Sequence, residues 1–127
     1  MIHLDTSVLI DAFVPPGRRL FELERTIADG EPLACSTVAL FEWLRGPRTA
    51  AELLVQARLL PTSSLVVFGQ AEAEQAAALY RKLSRPRGRE IDLMIGACAI
   101  VHGARLWTIN ASDFKDIPNL SLYRPGR

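Results

Sequence analysis

A chain of 127 residues has the length of one ordinary domain, and 49% apolar against 23% charged residues excludes a disordered polypeptide. A formal net charge of +1 excludes a uniformly basic nucleic-acid binder, so any electrostatic footprint must be local. Cys35 and Cys98 stand singly in apolar segments, without the spacing of a zinc site or the density of a disulfide scaffold, and read as buried thiols.

Ile2 to Leu4 read as a short strand ending at Asp5, and Thr6 to Phe13 as a helix stopped by Val14-Pro15-Pro16-Gly17. Arg18 to Ala28 repeat apolar residues at helical spacing, with Gly30 placed to close the helix. Pro32 to Cys35 form the next strand, and Ser36 and Thr37 are placed to cap a helix from Val38 to Arg45. Ala50 to Leu60 gather Leu53, Leu54, Ala57 and Leu60 on one helical face. Leu65 to Phe68 signal a buried strand, Gln70 to Leu83 a helix of strong formers, and Arg85 to Arg89 a loop. Glu90 to Val101 are almost uniformly apolar after one turn, the mark of a helix buried on most sides. Leu106 to Ile109 give a strand, Ser112 to Asp116 a helical turn, and Leu120 to Tyr123 a last edge strand. This alternation predicts an α/β fold, a parallel central sheet with helices on both faces joined by right-handed crossovers.

Ligands of such sheets bind beyond the carboxyl ends of the strands, which directs attention to acids just past a strand or early in the next helix. Asp5, Glu42, Asp92 and Asp113 meet that condition. Singly, Asp5 reads as a helix N-cap, Asp113 as a first-turn acid and Glu42 as a satisfied edge residue. Asp92 resists such a reading, because it interrupts the apolar run Ile91 to Ala99, where an ionised carboxylate needs a partner or a metal. If the acids converge, a cation must relieve their repulsion, and an all-oxygen donor set selects Mg²⁺ or Mn²⁺. Such ions activate water for attack on phosphodiesters, so hydrolysis of a nucleic-acid backbone is the expected chemistry.

The segments Ile2-His3-Leu4-Asp5-Thr6-Ser7-Val8-Leu9-Ile10, Ser36 to Glu42, Ile91 to Ala97 and Thr108 to Phe114 together resemble the PIN domain, and the whole chain resembles the VapC toxins of type II toxin–antitoxin modules. That resemblance implies one PIN-like domain over residues 1–127, with Asp5, Glu42, Asp92 and Asp113 as an acidic metal site. Thr6 and Ser7 would assist at the site and Asn110 would line it. The implied activity is an Mg²⁺- or Mn²⁺-dependent endoribonuclease. The implied partners are an RNA substrate, a VapB-type antitoxin whose C-terminal segment blocks the acidic cleft, and a second copy in a homodimer. One departure is Gly96-Ala97-Cys98, where relatives often carry Ala-Ala-Thr.

Arg85, Arg87 and Arg89 border the Asp92 helix, either as a guide for RNA phosphates or as a solvated loop. His3 and His102 read as structural, and Trp43 and Trp107 as packing or dimer-interface residues. Glu90 and Asp116 lie near the predicted site. Phosphotransfer folds also open on a strand ending in Asp, but Ser7 stands where a haloacid-dehalogenase pattern needs a second Asp, and the receiver-domain acidic pair is missing. The non-enzymatic alternative is a catalytically silent PIN-fold module that binds RNA or protein; its sign would be a missing acid. The N-terminus lacks a basic leader region and no apolar run approaches the ~18 residues that span a bilayer, so a cytoplasmic protein without membrane contact is expected.

Overall fold

A computed structural model describes residues 1–126; Arg127, the last position of the predicted domain, lies outside the described residues. Strands β1 (Ile2–Leu4), β2 (Leu33–Ser36), β3 (Leu65–Val66), β4 (Arg105–Trp107) and β5 (Ser121–Leu122) form one parallel sheet in the order β3-β2-β1-β4-β5. The helices are α1 (Thr6–Phe13), α2 (Leu20–Ala28), α3 (Thr37–Arg45), α4 (Ala50–Leu59), α5 (Gln70–Lys82) and α6 (Glu90–Val101). The chain therefore adopts the predicted α/β architecture. α1 packs against α2, α3 and α4, while α5 packs against α6.

The order of the strands fixes where a ligand belongs. The path β1 to β2 to β3 runs toward one edge, and the chain then returns to place β4 on the other side of β1. Right-handed crossovers running in opposite directions put their helices on opposite faces, which opens a crevice at the carboxyl ends of β1 and β4. The register pairs Leu4 with Trp107, so Asp5 and Thr108 leave the sheet side by side at that crevice.

The core explains the sequence pattern. Ile2, Leu4, Leu9, Leu23, Trp43, Leu93, Leu106, Trp107 and Phe114 are fully or almost fully buried, and both tryptophans pack internally. In α6 the consecutive residues Ile95 to Ala99 are all buried, as its unbroken apolar run predicts. Gly96 is placed against the C-terminal segment, where an added Cβ would stand 3.3 Å from Ile117 Cδ1. Gly30 and Gly103 take positive φ just past α2 and α6, ending them as expected.

Several boundaries differ from expectation. β4 ends at Trp107, so Thr108 and Ile109 are loop, and the turn predicted for Ser112 to Asp116 is a 3-10 turn at Ala111–Asp113. β3 contains only Leu65 and Val66, both half-buried, and β5 only Ser121 and Leu122. No residue of α4 is fully buried: of the predicted apolar face Leu54 is 64% exposed, whereas Leu60, just past the helix end, is 2% exposed and Val55 and Leu59 pack against the core. With its packing limited to half-buried side chains, α4 depends more on its ends. Thr49 Oγ1 accepts from the Glu52 amide at 3.1 Å, and Glu52 Oε1 accepts from the Thr49 amide at 2.9 Å. Thr49→Ala is expected to cost about 1 kcal/mol in urea unfolding and to speed amide exchange in the first turn of α4.

Candidate metal centre

Asp5 occupies the N-cap position of α1 with extended backbone, yet its side chain makes no capping bond. The carboxylate turns instead to the crevice, where Asp5 Oδ2 accepts from Ser7 Oγ at 2.7 Å and from Thr108 Oγ1 at 2.8 Å. The simple capping role is therefore excluded. Both hydroxyls meet the same oxygen, which leaves Oδ1 without a hydrogen-bond donor among the described residues. Ser7 and Thr108 are themselves held: Ser7 Oγ accepts from the Ile109 amide at 3.2 Å, and Thr108 Oγ1 from the Asn110 amide at 3.0 Å. One short network thus ties the first turn of α1 to the loop after β4 and orients a carboxylate that is 4% exposed.

Glu42 reaches the same place from α3, whose N-cap Ser36 accepts from the Ala39 amide at 3.1 Å. Glu42 Oε1 accepts from Thr6 Oγ1 at 2.6 Å, and Oε2 lies 3.3 Å from Arg45. Phe41, the residue before it, is 55% exposed. Asp92 enters from the first turn of α6. Asp5, Glu42 and Asp92 line one open cleft of about 200 Å³ together with Thr6, Ser7, Ile10 and Asn110. No basic side chain is among these lining residues.

Electrostatics marks Asp92 as the strained member. Burial, then repulsion from Asp5, Asp113 and Glu42, pushes its carboxyl up to about 6, against a weaker opposing pull from Arg89. Asp113 is exposed and does not line the cleft, although its charge reaches Asp92. Among the described residues no three Asp, Glu, His or Cys side chains stand close enough to grip one ion by themselves. The donor set nonetheless fits a hard divalent cation. All donors are oxygens, their mutual repulsion is what a cation relieves, and Mg²⁺ commonly takes one or two carboxylates while keeping several waters.

The remaining predicted residues fall outside the cleft. Arg89 is occupied by Asp116 through hydrogen bonds of 2.6 and 2.9 Å, so of the three loop arginines only Arg85 and Arg87 lack an ion pair among the described residues. Glu90 is exposed and lines a separate apolar groove with Ala76 and Leu93. His102 Nε2 lies 2.8 Å from Glu72 Oε2, tying α6 to α5. Reasoning from sequence missed Thr108 and Ile10. Thr108 sits opposite Asp5 only because Leu4 pairs with Trp107, a register invisible without the sheet. A larger cavity of about 340 Å³ is lined by Arg25, Thr26, Arg105 and Tyr123 among others. It reaches Arg105, the first residue of β4, and includes none of Asp5, Glu42, Asp92 and Asp113.

The family profile of the PIN domain matches residues 2–120. The chain belongs to the PIN domain family. Solved structures similar to this PIN domain include a chain of VapBC2 from Rickettsia felis bound to a DNA fragment from its promoter, at 24% identity and a TM-score of 0.78, covering 97% of this chain and 98% of that one. A toxin–antitoxin complex from Klebsiella pneumoniae matches at 28% identity and a TM-score of 0.71, covering 94% and 95%. VapBC-1 from nontypeable Haemophilus influenzae matches at 25% identity and a TM-score of 0.69, covering 97% of each chain. No curated protein matches the sequence.

Proposed function

We propose that this PIN domain is a VapC-type toxin, a divalent-metal-dependent endoribonuclease that an antitoxin restrains. The observation that carries the reading is Asp92, a half-buried carboxyl pushed up to about 6 by burial and by the charges of Asp5, Asp113 and Glu42. Such a cluster costs stability in the absence of a counter-charge, and a bound cation is its simplest physical reason. The toxin–antitoxin complexes among the similar structures support the antitoxin partner.

Asp5, Glu42 and Asp92 would hold Mg²⁺ or Mn²⁺, with Asp113 acting through water. When bound, the ion supplies Lewis acidity and lowers the pKa of a water. The chain's own residues prepare that site. Ser7 and Thr108 hold Asp5 by one oxygen and leave the other for the ion, while Thr6 holds Glu42 by Oε1 and Arg45 lies 3.3 Å from its Oε2. Asn110 lines the cleft mouth, where its amide side chain is available to RNA. Arg85 and Arg87 guide phosphates toward the cleft. No helix among the described residues is long and apolar enough to cross a membrane, and we place the protein in the cytoplasm as a homodimer of one PIN-like domain per chain.

Purified, antitoxin-free protein is expected to cleave RNA in Mg²⁺ or Mn²⁺, to stop in chelator, and to lose at least about a hundredfold in rate as Asp5→Ala. Cleavage that persists in chelator, or full activity of the variant, sinks this reading.

A further inference from the structure

We propose that Arg89 is a positioning residue that clamps the loop of Asp113 to the helix of Asp92 and so presents the acidic cluster to its metal, rather than a contact for RNA. The inference rests on the metal-nuclease reading above.

Arg89 stands at the N-cap position of α6, three residues before Asp92, and its side chain makes no capping bond. Its guanidinium points across to the segment after β4. Nη2 donates to Asp116 Oδ1 at 2.6 Å and to the Asp113 carbonyl at 3.0 Å. Nη1 donates to Asp116 Oδ2 at 2.9 Å and to the Arg85 carbonyl at 3.2 Å. A planar fork binding both oxygens of a carboxylate fixes orientation as well as distance, and a lysine ammonium offers only a point charge. The two segments joined are those that carry Asp92 and Asp113.

Three observations separate positioning from the alternatives. Arg89 is absent from the lining of the acidic cleft, so it does not take the place of an ion there. Its nitrogens already serve a carboxylate and two carbonyls, which leaves little of the fork for phosphate. The loop is anchored without it, because Phe114 and Ile117 are 2% and 4% exposed. Loss of the clamp should therefore leave the fold intact and loosen only the presentation of the acids. Arg89 also lies within electrostatic reach of both Asp92 and Asp113.

The test is Mn²⁺ binding by calorimetry on the full chain, beside RNA cleavage and the salt dependence of RNA binding in chelator. Arg89→Gln is expected to weaken Mn²⁺ binding and lower kcat by about tenfold each, with KM for RNA and the salt slope unchanged. Arg89→Lys should fail to rescue. Asp116→Asn, which removes the clamp from the exposed side, should reproduce the loss, and the double variant should be no worse than either single one. Unchanged Mn²⁺ affinity in both single variants overturns the inference, as does a flattened salt slope in Arg89→Gln, which would make Arg89 an RNA contact. Wild-type protein that binds no Mn²⁺ and cleaves no RNA sinks the nuclease reading and this inference with it; a wild type that does both beside unaltered variants sinks only the inference.

Discussion

Asp92→Asn should lower metal-dependent RNA cleavage by at least about a hundredfold and at the same time make the metal-free protein more stable. The two effects share one cause. The Asp92 carboxyl titrates at about 6 against an ordinary 3.8, so above pH 6 the folded state carries a charge that burial and its acidic neighbours penalise. The penalty is complete above the folded value and is relieved as pH falls through it toward 3.8. Asn keeps the shape and removes the charge. Because the side chain is only half-buried, solvent screening reduces the gain to about 1 kcal/mol at neutral pH in chelator. Saturating Mg²⁺ should reverse the order, stabilising wild type and leaving the variant where it was. Urea unfolding with and without metal measures both arms. A variant that unfolds more easily in chelator would mean that Asp92 is held by a favourable partner and not by frustration.

The sequence made Asp92 conspicuous because an apolar helix offered no other reason for a charge, and Asp5 because it ends the first strand. Both belong to the cleft. Local pattern was also enough for α1, α6 and the two glycine stops, where turn chemistry and periodicity agree. What local pattern lacks is the identity of the neighbour. The apolar residues of α4 recur at helical spacing, but periodicity does not say which of them the core covers: Leu54 faces solvent, whereas Leu59 and Leu60 pack inward. Arg89 looked like its flanking arginines because Asp116, 27 residues on, becomes its partner only through the fold. Thr108 stayed hidden for the same reason, since its role depends on the register between β1 and β4. Asp113 follows the right strand, yet a 3-10 turn leaves it exposed, where it acts on Asp92 by its field alone.

The same dependence on neighbours makes His3 the acid-sensitive element of the fold. His3 is 1% exposed in the middle of β1, and neither ring nitrogen has a hydrogen-bond partner among the described residues. Its ring centroid lies 5.7 Å from that of His102. Burial first, then repulsion from His102 and the chain's amino terminus, lowers its pKa from 6.5 to about 4. The lowered value sets the sign. Above about 6.5 the imidazole is neutral in both states and costs nothing in charge, whereas between 6.5 and 4 only the unfolded chain takes up the proton. Stability is therefore lost as pH falls through that window, by about 3 kcal/mol in all. Asp92 works in the opposite direction over much of the same range, since the folded state protonates it first. Wild type alone would show only the difference between the two, so the comparison must be with a variant that lacks one of them. His3→Leu is expected to be more stable than wild type by about 1 kcal/mol at neutral pH, where it removes two unsatisfied buried nitrogens. The margin should widen by about 2–3 kcal/mol near pH 4.5, measured by urea unfolding at both pH values. A margin that stays constant with pH would show that His3 acquires its proton inside the fold as readily as outside it.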